Sequence, residues 1–276
     1  MNGTNQFDNI LLCTDLDGTL LRKDGSISVE NQEAIAYFQN NGGYFTFVTG
    51  RMPFFARHIY EAVRPNAPIG CINGGGVYDY VTERYVWKEA VDPRALDLVE
   101  SVDLAMDDMG IQINTFEKVY FCKENSAMAH FRKVTGMPNL VCSYRQITEP
   151  IAKIVFGHED PARISALAEH LHHHPNASDF SFIHSERKLY EILPRGSHKG
   201  RILPKLTAYL SDSPMKTIAV GDFDNDIGML RDADLGIAVA NATENAKKAA
   251  DRVTVSNEEH AIARIIRDLD EGKIVL

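Results

Sequence analysis

Asp15 and Asp17 stand two residues apart in Thr14-Asp15-Leu16-Asp17-Gly18-Thr19-Leu20-Leu21, directly after an apolar run, Ile10-Leu11-Leu12-Cys13. The run reads as a short buried strand. Side chains two apart in extended chain point the same way, and Gly18 breaks the strand at once, so both carboxylates can converge on one small site at its carboxyl end. Two carboxylates that close repel. At roughly 4 Å and an effective dielectric of about 20, about 4 kcal/mol opposes keeping both ionised. Either one takes a proton or a cation sits between them, so acid–base chemistry and metal binding are the two uses that follow. A solvated turn in which Thr19 caps a helix is the use without chemistry.

The elements around this stretch decide between them. Ser28 can cap a helix over 29–40, which Asn41-Gly42-Gly43 stops. A strand over 44–48 ends in Thr49-Gly50-Arg51, Pro53 opens a second helix, and a third strand, 69–72, runs into Asn73-Gly74-Gly75-Gly76. Strand, helix, strand, helix, strand predicts a parallel sheet with functional loops at the carboxyl ends of its strands.

From Tyr78 the rhythm changes to helices followed by pairs of strands. Strands are expected at 77–80, 84–91, 111–114, 118–122, 140–144, 151–157, 180–184 and 188–193. Helices are expected from Asp92-Pro93, from Asn125 to Gly136-Met137-Pro138, and from Asp160-Pro161. The first rhythm returns with Ser197-His198-Lys199-Gly200, which opens a helix to about residue 210. A buried strand at 216–220 then leads through Gly221-Asp222-Phe223-Asp224-Asn225-Asp226 into another helix, and one more strand–helix–strand–helix turn follows. The expected fold is α/β: a doubly wound, Rossmann-like parallel core made of residues 1–80 and 188–276, with an α+β domain inserted at 81–187.

Composition narrows the function classes. A chain of 276 residues that is 44% hydrophobic can bury one large or two moderate cores. A net charge of −9 leaves no basic excess to neutralise phosphates, which argues against non-specific nucleic-acid or anionic-membrane partners. No apolar run nears the roughly 20 residues that span a bilayer. The start, Met1-Asn2-Gly3-Thr4-Asn5-Gln6, is polar rather than signal-like, so a cytoplasmic address is expected. Cys13, Cys71, Cys122 and Cys142 lie far apart without a CxxC pair and are expected to be reduced core residues. His172-His173-His174 reads as the polar end of a helix, because adjacent helical residues do not face one another.

Four strand or helix ends therefore carry polar side chains: Asp15 with Asp17, Thr49, Lys199, and Asp222 with Asn225 and Asp226. The acids suit a hard cation; the hydroxyl, ammonium and amide suit a phosphoryl group. In this order the chain resembles the haloacid dehalogenase (HAD) superfamily, and within it the Cof-like phosphatases with a large type IIB cap. DLDGTLL, VTGR, the lysine of GSHKG and GDFDNDIGML match its four motifs, and INGGGVYDY matches the segment before the cap.

The resemblance implies a Mg²⁺-dependent phosphatase acting on a small phosphate ester, a sugar phosphate first among them, through an aspartyl-phosphate intermediate. Asp15 would be the nucleophile, and Asp17 the acid that protonates the leaving oxygen and then activates water. Thr49, Gly50, Lys199 and Asn225 would hold the phosphoryl group. Asp15, Asp222 and Asp226, with Asp17 through its backbone carbonyl, would hold the metal. Arg51 and Asn73 would contact substrate or cap. The protein would work as a monomer or homodimer. A phosphomutase or phosphotransferase with the same intermediate is the near alternative; a receiver-like signalling protein is remote, because receivers lack an acid at the Asp17 position. The chain departs from the family pattern at Phe223, at Ala240 and over Glu258-Glu259-His260-Ala261, outside the proposed chemistry.

Overall fold

In the computed structural model, which describes residues 6–135, 138 and 140–276, the first unit opens with β1 (Ile10–Thr14), α1 (Val29–Asn40), β2 (Tyr44–Phe47), α2 (Pro53–Val63), β3 (Ile69–Cys71), β4 (Gly76–Asp79) and β5 (Arg84–Lys88). The second unit holds α3 (Ala95–Ala105), β6 (Gly110–Thr115), β7 (Val119–Lys123), α4 (Ser126–Thr135), β8 (Ile151–Gly157), α5 (Pro161–His172), β9 (Phe180–Glu186) and β10 (Leu189–Pro194). The first unit resumes with α6 (Leu203–Leu210), β11 (Lys216–Gly221), α7 (Ile227–Asp232), β12 (Leu235–Ala238), α8 (Glu244–Ala249), β13 (Arg252–Val253) and α9 (Ala261–Asp270). The polar start before Gln6 and the helix stop at Gly136-Met137 lie outside the described residues.

The first unit is a doubly wound α/β domain. Its parallel sheet runs β13-β12-β11-β1-β2, with Leu12 paired to Ile218 on one side and Phe45 on the other. Leu11, Leu12 and Cys13 have no exposed surface, as a strand covered on both faces requires. Local signals set the helices that cover it. Ser28 Oγ accepts the Asn31 N–H at 3.2 Å to cap α1, and Pro53 occupies the first turn of α2.

Two expected elements differ. The strand at 69–72 does not extend the parallel sheet: β3 pairs antiparallel with β4 in a separate three-stranded sheet, β3-β4-β5. A single parallel bridge, Val48–Gly70, ties it to the main sheet. The reason is backbone geometry, since Ile72, Asn73 and Gly74 adopt φ of 58°, 49° and 96° and turn the chain away. The strand expected at 140–144 reduces to one parallel bridge, Leu140 beside Tyr120, and a 3₁₀ turn at Tyr144–Gln146. Ser143 and Gln146 cap that turn reciprocally, which draws the chain out of extended conformation.

The compact units divide at Trp87/Lys88 and Ser197/His198, further along than the 80/81 and 187/188 edges read from the sequence. Strand β5 belongs to the sheet of β4, and β10 pairs with β8 and β9, which carries each boundary past those strands. The second unit is an inserted α+β domain with the antiparallel order β7-β6-β8-β10-β9. Ile111, Ile113, Ile154, Phe156 and Ile192 pack with α3 and α5 into one apolar cluster. Strand alternation sends Gln112, Asn114, Lys153 and Glu191 to the other face, all buried, with Lys153 Nζ 2.8 Å from Glu191 Oε1. All four cysteines are free thiols, Cys13 and Cys71 buried and Cys122 and Cys142 half-buried. Among the described residues no helix is long and apolar enough to cross a membrane.

Candidate active site

The hydrogen bonding of β1 continues one residue past the strand, where the Asp15 N–H donates to the Val220 carbonyl at 2.8 Å. This fixes Asp15 beside the end of β11. Its carboxylate is only 6% exposed and meets the Lys199 ammonium, Nζ to Oδ1 2.6 Å. Lys199 begins a 3₁₀ turn before α6, is buried, and reaches Asp226 Oδ1 at the same 2.6 Å. The other oxygen of Asp226 accepts the N–H groups of Asp222 and Phe223 at 2.9 and 3.0 Å, folding the loop after β11 over itself.

Asp222 takes a hydrogen bond from the Thr19 hydroxyl at 2.8 Å. The helix cap at Thr19 that belonged to the solvated-turn alternative does not form; the hydroxyl is a partner of Asp222. The glycine before it has a double reason to be glycine. Gly18 sits at φ 82°, and a Cβ there would lie 2.4 Å from Asp222 Oδ2. Two amides that sequence reasoning passed over hold the same loop: Asn241 Nδ2 donates to the Gly18 carbonyl and Asn257 Nδ2 to that of Leu21, both at 2.8 Å.

One oxygen each of Asp15, Asp222 and Asp226 lies within 4.8 Å of the others. Asp17 is not among the three, because its carboxylate is held by Arg51 at 2.6 and 2.9 Å and its side chain is 58% exposed. The electrostatics of the three acids are unbalanced. Burial, then Asp226, push the Asp15 carboxyl well above the usual range; Lys199 pulls it back, and Asp222 and Asp17 raise it again. Asp222 is pushed up to about 6 by burial and by Asp226, against the Thr19 hydrogen bond. Burial alone would depress the Lys199 ammonium, but Asp15 and Asp226 outweigh it and hold it above its ordinary value.

Two buried carboxylates and the half-buried one of Asp222, grouped around one ammonium, leave about two negative charges without compensation, and an all-oxygen donor set of this kind fits a hard divalent cation. The residues present therefore suit a metal ion.

A second group forms beside the first. Thr49 is buried, its Oγ accepts the Arg51 N–H at 3.2 Å and its carbonyl accepts the Asn73 N–H at 3.1 Å. Asn225 Nδ2 donates to Asn73 Oδ1 at 3.1 Å, and Asn225 Oδ1 is buried without a protein partner. A Cβ on Gly50 would lie 2.8 Å from the Asn73 amide nitrogen, so glycine is what lets that amide approach. The turn from Asp222 to Asp226 joins this hydroxyl-and-amide group to the acids. Every candidate residue read from the sequence thus falls in one of two adjoining groups or, for Asp17 and Arg51, in the ion pair between their loops.

Acids and a hydroxyl at the carboxyl ends of parallel strands, with an ammonium and amides brought beside them, mark an α/β enzyme equipped to handle an anionic ester. The comparisons narrow the class. A family model described as haloacid dehalogenase-like hydrolase matches residues 12–266, and the chain belongs to that family. It is similar to the phosphatase YwpJ of Bacillus subtilis, 26% identical with 94% of this chain and 99% of that one covered. It is likewise similar to the 5-amino-6-(5-phospho-D-ribitylamino)uracil phosphatase YwtE of the same organism, 28% identical over 95% and 98% of the two chains. Among solved structures, a haloacid dehalogenase-like hydrolase from B. subtilis superposes with a TM-score of 0.80 at 26% identity, covering 93% of this chain and 98% of that one. The chain is accordingly a phosphoric monoester hydrolase of the Cof-like HAD branch, with an inserted α+β domain.

Proposed function

We propose that the protein hydrolyses a small phosphorylated metabolite through an aspartyl phosphate formed on Asp15. The observation that carries this reading is the setting of Asp15, a buried carboxylate at a strand end, paired to a buried lysine and facing two further acids. In the first half-reaction Asp15 Oδ attacks phosphorus and the ester oxygen leaves with a proton from Asp17. In the second, water attacks the phosphorus of the aspartyl phosphate and Asp17 takes its proton, which restores both carboxyl groups. Lys199 balances the charge of Asp15 and of the transferred group, while Thr49, Gly50 and Asn225 bind its oxygens. Asp15, Asp222, Asp226 and the Asp17 carbonyl would hold Mg²⁺, which would supply the missing positive charge.

The organic part of the ester is a sugar or polyol. Support comes from the relative YwtE, whose named substrate carries its phosphate on a ribityl chain. The inserted unit, residues 88–197, acts as the cap that selects it, Arg51 positions Asp17, and Asn73 positions Asn225. The protein works in the cytoplasm as a monomer or homodimer. The test is a screen of purified protein against phosphorylated sugars, polyols, nucleotides and cofactors, with Mg²⁺ and phosphate detection. Release from a sugar or polyol phosphate that stops with chelator and returns with Mg²⁺ is expected; absence of release from every ester would overturn the reading.

A further inference from the structure

Cys122 and Cys142 are far apart in sequence and take no part in the phosphatase reading. The bridge between Tyr120 and Leu140 is parallel, and the Phe121 N–H donates to the Leu140 carbonyl at 2.9 Å. Leu140 thus sits against the open edge of β7, the outermost strand of its sheet. Cys122 lies two residues beyond Tyr120 and Cys142 two beyond Leu140, so the bridge brings both cysteines into one neighbourhood. Tyr120, Cys122, Cys142 and Tyr144 all pack against the same apolar cluster, consistent with one shared face. The two thiols also lie within hydrogen-bonding reach of each other.

We infer that Cys122 and Cys142 are an oxidative modification site, a dithiol that a peroxide converts into a disulfide fastening residues 140–142 to the edge of β7. Cys142 is the less buried of the two and reacts first. Its thiolate attacks one peroxide oxygen, breaking the O–O bond and releasing hydroxide, which leaves a sulfenic acid. The Cys122 thiolate then attacks that sulfur and expels a second hydroxide. The protons given up by the two thiols turn both hydroxides into water, so two thiols and one hydrogen peroxide yield one disulfide and two waters.

The surroundings set the pace of this chemistry. Burial pushes the Cys122 thiol up to about 12, and burial also raises Cys142, so little thiolate exists at neutral pH. Oxidation should therefore quicken as pH rises above neutral. The link closes a loop around α4, whose residues become harder to cleave.

The test treats the full chain with hydrogen peroxide, alkylates remaining thiols and maps peptides with and without reductant. The expected product is a Cys122–Cys142 linked peptide, lighter than its two parts by two hydrogens and split by dithiothreitol. In Cys122→Ser the Cys142 sulfenic acid, having no partner, should be trapped by dimedone; in Cys142→Ser no link should form. Overoxidation of Cys142 with Cys122 still a thiol would overturn the inference. So would a link that uses Cys13 or Cys71, or one formed between two chains.

Discussion

Arg51 holds both carboxylate oxygens of Asp17, Nη2 to Oδ1 at 2.6 Å and Nε to Oδ2 at 2.9 Å, whereas Asp15, two residues earlier, is given to Lys199. The two acids of the opening motif are thus separated by their partners. The fork geometry fixes the plane and direction of the Asp17 carboxylate. Because the pair is largely exposed, it is worth no more than about 1 kcal/mol to the fold. Arg51→Ala should therefore lower turnover about tenfold or more while moving the unfolding transition little. Steady-state kinetics with a circular-dichroism melt separates the two effects, and a large melt shift with unchanged turnover would make Arg51 a structural residue only.

The division of labour proposed for the two acids predicts different deficits. Asp15→Asn should abolish release from p-nitrophenyl phosphate, since an amide does not form the covalent intermediate. Asp17→Asn should slow release of a metabolite's alkoxide by at least about a hundredfold. It should slow p-nitrophenolate less, because that leaving group needs no proton in the first step. Rates for both esters, measured on the same preparations, check the pair.

Lys199 is the buried positive charge shared by Asp15 and Asp226. Removing one member of a buried ionic cluster costs about 3–5 kcal/mol, because the remaining charges stay buried and unpaired. Lys199→Met should accordingly lose activity and melt markedly lower than the parent protein. Adding Mg²⁺ or lowering the pH should return part of the stability, the first by supplying positive charge and the second by neutralising the acids. Melting curves over a Mg²⁺ series and a pH series test this.

The Asp222 carboxyl, pushed up to about 6, predicts how the site answers to pH. Its value in the fold lies above the ordinary value of 3.8, so the metal-free fold gains from this group below the ordinary value and loses that gain as pH rises through about 6. Metal binding needs the ionised form. Mg²⁺ affinity should therefore fall as pH is lowered through about 6, and the stabilisation that Mg²⁺ gives should be larger at pH 7 than at pH 5. Calorimetric titrations at several pH values give the affinity directly.

The sequence made the chemistry legible wherever a side chain's type decided its partner. Lys199 and Asp15 are 184 positions apart, yet a buried ammonium and a strand-end acid were each marked by a motif in an expected loop. What escaped was decided by backbone geometry. Ile72 is β-branched and reads as the end of an extended strand, but it sits at φ 58°, a conformation such residues rarely adopt, and so β3 leaves the parallel sheet. The stretch from Leu140 looked like a strand because its composition favours one, while the reciprocal cap at Ser143 and Gln146 was available to end it. Thr19 fits both a cap and an Asp222 partner by residue type, and only the loop after β11 chooses between them.

The pairing of β1 with β11 also sets an order of events during synthesis. Leu12 meets its neighbour Ile218 only after more than two hundred further residues have left the ribosome. The sheet of the second unit, by contrast, draws all its strands from Gly110–Pro194 and is complete before β11 exists. At roughly 5–20 residues per second, the amino-terminal strand waits on the order of ten seconds or longer for the partner that completes its edge. A nascent chain arrested between these two points would carry a folded insert on an unfinished catalytic scaffold, with Asp15 made early and the lysine that pairs it made late.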